Sequence, residues 1–479
     1  MGGGRSVRLT SYPASLWLTV LSALLGSFQN GYHLGDVNTA LDPLAADLGL
    51  AVATQGAVVV SALLVGAIVG SLGAGPAADT LGPRRALLLN NTFFAIGSLL
   101  GAATPGGYWG AIGGRLLAGM ACGAASLYVP RYLSEIAPIA IRGGISTLNQ
   151  VFICVGIVVA YIVGLPYDAN ELFAVTLFGR CVAWWRVIFG LGVVPAVLQV
   201  AGLAAAPESP VWLRWRGHGA AAEVAEQQLL GPSWREVGDP GAADDSALLE
   251  NGGEEAPGER GGWGALLQRR YRLVMVLAAA LPLWQQLSGI NTVVFYSSEV
   301  FARAGLSSPV TGSIVVGSVN VCGTLLAALL IDRAGRRTLL LTSHSAMAAC
   351  LAALAAANLL PVSRELAGGL SFGSVLLYVL AYALGAGPVP WVYLPEVLPA
   401  AIKGPAAAAC TALSWAGNLA VGLSFPGMLA LLGLPGAYAV YVVLNVAAAL
   451  FVARLVVETS RRSLAGIQAL LLLPDDDEA

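Results

Sequence analysis

Apolar segments long enough to cross a membrane recur along the whole chain. A bilayer core about 30 Å thick takes roughly 20 apolar residues per helix, and backbone polar groups in lipid must all be paired. The segments lack the period-two alternation of a transmembrane strand, so they are predicted to be helices. Twelve spans, numbered from first to twelfth, are predicted at residues 16–38, 55–77, 86–104, 109–132, 144–165, 184–205, 273–300, 310–331, 338–360, 368–394, 406–431 and 435–457. The pattern predicts an all-α membrane protein.

Composition excludes several classes of function. The chain is 57% apolar and 11% charged, whereas a soluble domain carries about 25% charged residues, so a soluble enzyme is excluded. The net charge of −2 leaves no basic surplus for nucleic acid. The sole lysine, Lys403, precedes Gly404 and Pro405, so the chain has no P-loop. Neither metal-ligand spacing nor a catalytic set of nucleophile, base and acid is visible, and we expect neither enzymatic activity nor a cofactor.

Basic residues indicate the orientation of the spans. If the N-terminus is cytoplasmic, 20 of the 25 Lys and Arg residues fall on that side and four on the other, with Arg115 inside a span. Cytoplasmic loops retain Lys and Arg, so both termini are predicted to face the cytosol or its topological equivalent.

One long polar segment divides the chain into two halves of six spans. Residues 207–271 carry 11 acidic and 6 basic side chains; residues 220–230 have helical composition, and residues 239–262 have the composition of a disordered segment. The predicted organisation is a tail at 1–15, a bundle at 16–206, a linker at 207–271, a bundle at 272–458 and a tail at 459–479.

Three charged motifs occur in the same order in both halves. DTLGPRR at 79–85 matches DRAGRR at 332–337, EIAPIAIRG at 135–143 matches EVLPAAIKG at 396–404, and PESP at 207–210 matches ETS at 458–460. Such a duplication is typical of transporters whose halves rock around a central site. We expect a cytoplasmic gate of charges paired across the two halves, with ordinary positive-inside loops as the simpler alternative. Its members are Asp79, Arg84, Glu135, Arg142, Glu208, Asp332, Arg333, Arg336, Arg337, Glu396, Lys403 and Glu458.

These motifs, together with QQLSGIN at 285–291, are similar to the motifs of a known family. The chain resembles the sugar porter family of the major facilitator superfamily over nearly its whole length. GYHLG at 31–35 and LGAGPVP at 384–390 are similar to the plastidic glucose transporters of plants and algae. The resemblance implies twelve helices in two pseudo-repeats and transport by alternating access.

A sugar site is expected near the middle of the membrane. A hexose presents hydroxyls, so amides and an aromatic face suit it; Gln285, Gln286 and Asn291 around the Ser288-Gly289 break supply such amides. By resemblance, the site is completed by Gln150, Ile153, Asn320, Trp391, Trp415 and Asn418, with Phe295 and Tyr296 as an aromatic gate on the extracellular side. Amides also hold membrane helices together, which is the structural alternative.

Two positions depart from the family pattern. Many glucose facilitators have an acid where this chain has Ala383 and an asparagine where it has Ser414. Two sugar contacts are therefore expected to be shorter or missing, and the choice of hexose stays open.

Charged residues in the first and fourth spans raise the question of proton coupling. Proton-coupled relatives carry an aspartate where this chain has His33, so the resemblance favours a uniporter. Asp36 lies one turn further along the helix, and an ionisable residue inside a membrane is a functional candidate. Either His33, Asp36 and Arg115 form a titratable trio that couples protons to sugar, or Asp36 and Arg115 form a static pair.

The resulting expectation is a facilitative hexose transporter, with glucose as the first candidate. A proton symporter, a polyol or pentose carrier and, more remotely, a non-transporting sugar sensor are the alternatives. The expected partners are a small sugar and the lipid bilayer, with protons an open question, and the protein is expected to function as a monomer. The resemblance implies the plastid inner envelope, with the plasma membrane as the alternative.

Overall fold

The protein is built almost entirely from long helices. The computed structural model describes residues 12–166, 174–177, 180–231, 263–295, 308–359, 364–460, 467 and 470–471. In the first half the helices are Ala14–Leu48, Ala57–Leu81, Pro83–Ala103, Tyr108–Ile136, Ile139–Val163, Trp184–Gly190 and Val193–Ala205. In the second half they are Arg272–Leu287, Pro309–Ala334, Arg336–Ala357, Arg364–Leu384, Val389–Val397 and Lys403–Leu455.

The described helices account for the twelve predicted spans. Nine of them are long and apolar enough to cross a membrane. The 53-residue helix Lys403–Leu455 contains a non-helical residue, Gly433, and therefore supplies the eleventh and twelfth spans. The first and seventh spans complete the set of twelve. The first span, Ala14–Leu48, carries buried polar side chains, and the seventh span begins with a helix of only 16 residues.

The seventh and tenth spans are interrupted, the seventh at the break that the sequence predicts. In the seventh, the helix ends at Leu287, Gly289 has a φ of 95°, and residues 290–295 are again helical. In the tenth, residues 385–388 separate Arg364–Leu384 from Val389–Val397. Each interruption releases backbone groups from helical hydrogen bonding and makes them available to side chains.

Two short strands accompany the helices of the all-α fold. Ala174–Leu177 pairs with Arg180–Ala183 in an antiparallel hairpin before the sixth span, with Val175 opposite Val182. β-branched residues favour such pairing, and four-residue strands are too short to show a pattern in the sequence.

The segment between the halves begins with helices. Pro210–Trp215 and Gly219–Leu230 follow the sixth span, which confirms the helix predicted at 220–230. The predicted disordered stretch at 239–262 lies outside the described residues. Short 3-10 turns at Trp263–Leu267 and Arg269–Tyr271 lead into the seventh span.

Glycines allow the spans of the first half to pack closely. A Cβ on Gly119 would lie 2.0 Å from the carbonyl oxygen of Leu63, and one on Gly70 would lie 2.0 Å from that of Met120. The second and fourth spans therefore touch backbone to backbone, as small residues permit in membranes. The first and fifth spans do the same, because a Cβ on Gly31 would lie 1.9 Å from the carbonyl oxygen of Ile153.

Candidate functional site: a sugar site and its gates

The amides of the seventh span lie on both sides of its interruption. Gln285 is buried in the last turn of Arg272–Leu287, Gln286 follows it, and Asn291 lies just beyond Gly289. The Asn291 amide donates to Oε1 of Gln286 at 2.5 Å. The structure thus brings together the three residues that the sequence singles out.

Gln285 connects the seventh span to the interrupted tenth. Its amide nitrogen donates to the carbonyl oxygen of Gly387 at 2.6 Å, and its oxygen accepts from the indole of Trp391 at 3.1 Å. The Gly387 carbonyl is available because the tenth span is interrupted there. Trp391 therefore lies beside the amides, as the resemblance implies.

Ser414, one of the two departures, takes part in the amide cluster. The Gln286 amide donates to its hydroxyl at 2.9 Å, so the shorter side chain still holds the glutamine in place. At the other departure, a Cβ on Gly323 would approach that of Ala383 to 2.7 Å. The Cβ of Ala383 therefore lies against Gly323 of the eighth span.

The fifth and eighth spans meet through two residues that the sequence interpretation missed. The Gln150 amide contacts Sγ of Cys154 at 3.7 Å, and this sulfur lies 3.7 Å from the hydroxyl of Thr324. Thr324 in turn donates to the carbonyl oxygen of Asn320 at 2.8 Å. Cys154 and Thr324 lie four residues after Gln150 and Asn320, on the same helix faces, and this spacing was the available signal.

Among the described residues that are predicted to bind the sugar, two have a buried amide oxygen without a hydrogen-bond partner: Asn320 and Asn418, each at Oδ1. Trp415 is buried within the central apolar cluster, and Ile153 packs against that cluster and against Gly31. The predicted substrate residues therefore supply neutral donors, acceptors and aromatic surface, and each side-chain amide nitrogen has two hydrogens to donate. Within the described residues no cluster of metal-ligating side chains accompanies them.

A pair of hydrogen bonds joins the two halves beyond the interruption of the seventh span. The Asn38 amide and the Tyr161 hydroxyl both donate to the carbonyl oxygen of Val294, at 2.9 and 2.8 Å. Phe295 is buried next to this carbonyl, and Tyr296 lies outside the described residues. We call the Asn38, Tyr161 and Val294 contact the cross-half latch.

His33, Asp36 and Arg115 form a buried cluster. Asp36 has no exposed surface; its carboxylate accepts from Arg115 at 2.7 Å and lies 3.2 Å from Nδ1 of His33. Arg115 also donates to the carbonyl oxygen of His33 at 3.1 Å. The other ring nitrogen of His33 lies 3.3 Å from the hydroxyl of Ser98. Every charge in the cluster therefore has a partner.

At the charged end of the bundle, Glu208 caps the third span. Its carboxylate accepts from the backbone N–H groups of Arg84 and Arg85 at 2.9 and 3.4 Å. Gly82, with a φ of 89°, turns the chain into position. A carboxylate at a helix N-terminus satisfies unpaired N–H groups and complements the helix dipole.

The second half repeats this arrangement. Glu458 accepts from the backbone N–H groups of Arg336 and Arg337 at 2.9 and 3.0 Å, and Gly335 has a φ of 85°. The Ser209 hydroxyl donates to Glu135, and the Thr459 hydroxyl donates to Glu396. The matching hydrogen bonds confirm the internal repeat.

Several of the gate charges form ion pairs within their own half. Arg131 bridges Asp79 at 2.7 Å and Glu135 at 2.9 Å in the first half, and Arg336 binds Glu396 at 2.9 Å in the second. These pairs hold each bundle together, and the pairing of charges across the halves stays a prediction. Arg131, four residues before Glu135, was missed as a gate residue.

The remaining gate residues contribute in other ways. The Arg84 guanidinium donates to the carbonyl oxygens of Leu203 and Ala204, and Arg337 donates to that of Ala453. Arg333 and Lys403 are exposed. The side chains of Arg142 and Asp332 lie outside the described part of the structure.

The two capping glutamates differ in acidity. Burial raises the pKa of Glu208, and the N–H groups of Arg84, Ser209 and Arg85 offset this only in part. Burial also acts on Glu458, but the N–H groups of Ser460, Arg336 and Arg337 outweigh it and lower the pKa. The repeat is thus symmetric in geometry and asymmetric in proton affinity.

Comparisons with known proteins cover nearly the whole chain. The profile of the family "Sugar (and other) transporter" matches residues 19–471. The chain is 42% identical to plastidic glucose transporter 4 of Arabidopsis thaliana over 94% of its length and 79% of that protein. It is 32% identical to the glucose transporter GlcP of Staphylococcus epidermidis, over 95% of the chain and 97% of the relative. The partially occluded, inward-open xylose transporter XylE from E. coli matches with a TM-score of 0.77 and 27% identity, over 94% and 100%.

Proposed function

We propose that this chain, which belongs to the sugar transporter family, carries a hexose across a membrane by alternating access. Glucose is the first candidate substrate, and facilitative uniport is the proposed mode. The chain is an integral membrane protein of the major facilitator superfamily and not an enzyme. The two bundles at 16–206 and 272–458 are the units that move relative to each other.

The amide cluster of the seventh span carries this proposal. Gln285 is hydrogen-bonded to Gly387 and Trp391 of the tenth span, and Gln286 donates to Ser414 of the eleventh. Asn291 in turn donates to Gln286. A neutral site with amides and an indole suits a ligand that has hydroxyls and an apolar ring face. The relatives named for glucose transport support a hexose.

Uniport is supported by the partners of Asp36. The carboxylate contacts both Arg115 and His33, and the cluster is buried. A buried aspartate whose charge is matched by an arginine of the same half can serve as a static structural pair, and removing one partner of such a pair is strongly destabilising.

Proton symport is the second candidate, because the same cluster contains a histidine within reach of the aspartate. The similar XylE structure is that of a proton:xylose symporter. The two modes make opposite predictions for a pH gradient.

The site of action is proposed from the relatives and the basic residues. Relatives named as plastidic transporters favour the plastid inner envelope over the plasma membrane. The charged end of the bundle is proposed to face the cytosol, with Phe295 and the cross-half latch on the opposite side. We propose a monomer as the functional unit.

Counterflow of radiolabelled glucose in proteoliposomes tests the proposal. We expect uptake that unlabelled hexoses compete for and that an imposed pH gradient does not change. Accumulation driven by the gradient would establish symport instead. Failure of glucose to exchange, while a pentose or polyol does, would overturn the substrate assignment.

A further inference from the structure

Side chains of three other spans hold the backbone at the interruption of the seventh span, two by direct contact and the third through one of these two. In a regular helix the carbonyl oxygen of Ser288 would accept from the N–H of Thr292. Here the Thr292 N–H donates to Gly289 at 3.0 Å instead. The Ser288 carbonyl therefore needs partners outside its own helix.

Two side chains supply these partners. The amide of Asn445, in the twelfth span, donates to the Ser288 carbonyl oxygen at 3.0 Å, and the hydroxyl of Tyr378, in the tenth span, donates at 3.1 Å. A carbonyl oxygen has two lone pairs, so these donors satisfy it.

His344 of the ninth span fixes the orientation of the asparagine. The second hydrogen of the Asn445 amide nitrogen is directed to the carbonyl oxygen of Tyr441 at 2.9 Å. The amide oxygen consequently faces Nδ1 of His344 at 3.0 Å, and this nitrogen must be the donor. His344, Asn445 and Tyr378 are all buried, with at most 1% of their surface exposed.

The first half has a polar cluster in the matching spans, without the interruption. Gln29 of the first span donates to Asn91 of the third and Gln199 of the sixth. Gln199 donates to the carbonyl oxygens of Ser22 and Ala23 in the first span. Both clusters link spans one, three and six of their half, but only the second holds a carbonyl at an interruption beside the predicted sugar amides.

We infer that His344, Asn445 and Tyr378 are positioning residues that fix the interruption of the seventh span and thereby orient Gln285, Gln286 and Asn291 toward the sugar. This inference rests on the proposed function. Ser288 lies two residues after Gln286 and three before Asn291, so a rotation of its peptide group reorients the amides on both sides.

Tyr378→Phe in the full chain tests the inference, with Tyr393→Phe as the matched control. Both tyrosines lie in the tenth span, are fully buried and donate to a backbone carbonyl; Tyr393 donates to Val457 at the charged end. We expect Tyr378→Phe to raise the half-saturation concentration for glucose counterflow about threefold to tenfold, the size of one lost buried hydrogen bond. The maximal rate should change less than about twofold, and Tyr393→Phe should leave the half-saturation concentration unchanged.

A second pair of variants separates positioning from general stability. His344→Phe should raise the half-saturation concentration as Tyr378→Phe does, whereas His344→Gln, whose amide can donate to Asn445, should restore it. Equal effects of His344→Phe and His344→Gln, or of Tyr378→Phe and Tyr393→Phe, would overturn the inference.

Hydrogen exchange distinguishes this inference from the proposed function. If the unmodified protein exchanges no glucose, the proposed function fails. The inference is then decided by backbone exchange at residues 288–292, which should be faster in Tyr378→Phe and unchanged in Tyr393→Phe. Unchanged exchange in both variants would contradict it.

Discussion

Asp36 lies fully buried between Arg115 of the fourth span and His33 of its own span. Asp47 and Arg186 form a second pair of an aspartate with an arginine, but there the aspartate side chain is 43% exposed. A buried charge that loses its partner has no water to replace it. The same substitution should therefore have different consequences at the two sites.

Asp36→Asn is expected to destabilise the protein by about 3 to 5 kcal/mol, because Arg115 is left buried without a counter-charge. Asp47→Asn should cost only about 0 to 1 kcal/mol, the range for exposed pairs. Thermal unfolding of the two purified variants in the same detergent measures the difference. Equal losses of stability would show that Asp36 does not neutralise Arg115.

At the scale of elements, the cross-half latch attaches the seventh span to the first and fifth. The Tyr161 hydroxyl donates to Val294 across the halves, whereas the Tyr32 hydroxyl donates to Ile188 within the first half, at 2.7 Å. Both tyrosines are buried, so replacing either by Phe removes one hydroxyl and little volume.

Tyr161→Phe should weaken the closed arrangement at the latch and favour the state that is open on that side. We expect sugar added on the side of the latch to bind about fivefold more tightly, since one buried hydrogen bond contributes about 1 kcal/mol. Tyr32→Phe should leave this sidedness unchanged. Equilibrium binding to oriented vesicles measures both variants, and a matching shift in Tyr32→Phe would argue against a latch.

The elements themselves could largely be predicted from hydrophobic length, and their exceptions have physical causes. The first span is predicted to end at residue 38 but continues to Leu48. Asp42, Pro43 and Asp47 are typical of a loop, yet the helix extends beyond the apolar segment with Pro43 inside it. The hairpin at Ala174–Leu177 was missed because pairing depends on a partner strand rather than on local pattern.

The candidate site could be predicted in its members but not in its pairings. Amides and the tryptophan follow from the chemistry of the substrate class and from the family motif, and they meet in the structure. Which acid binds which base depends on helix rotation, which periodicity alone does not fix. Arg131 bridges Asp79 and Glu135, although it was not among the predicted gate residues.

At the scale of the whole molecule, the two capping glutamates predict a different response of each half to pH. Glu208 has a pKa above the ordinary value of 4.5 because of burial. The folded state then binds its proton more tightly than the unfolded chain, so its contribution to stability falls as pH rises from about 4.5 to the raised pKa. The pKa of Glu458 lies below 4.5, so its contribution is present above 4.5 and is lost as pH falls through the lowered pKa.

Glu208→Gln is therefore expected to remove part of the pH dependence of the melting temperature above pH 4.5. Glu458→Gln should leave that range unchanged and alter only the range below pH 4.5. The difference in melting temperature between each variant and the unmodified protein, recorded at each pH, isolates the contribution of that glutamate. Identical pH profiles for the two variants would show that the halves have equal proton affinity at their caps.

Alternating access makes a further prediction for the thiol at the centre of the molecule. Cys154 of the fifth span is buried against Thr324 of the eighth, in the opposite half, whereas Cys122 is buried in the fourth span, where its charged neighbours Arg115 and Asp36 belong to the first half. Separation of the halves must break the contact between Cys154 and Thr324. A variant that retains only Cys154 should react with a water-soluble methanethiosulfonate during transport, and a variant that retains only Cys122 should not.

Adding glucose makes this test more specific for the sugar site. Glucose in excess should slow the modification of Cys154 if sugar binds at Gln150 and Asn320 as proposed, because it would then cover the adjacent thiol. Modification of Cys154 should in turn block counterflow. If Cys154 stays unreactive in a variant that transports glucose, the halves do not separate at the fifth and eighth spans. The moving interface would then have to lie where the second and eleventh spans meet, with the central thiol on a fixed contact.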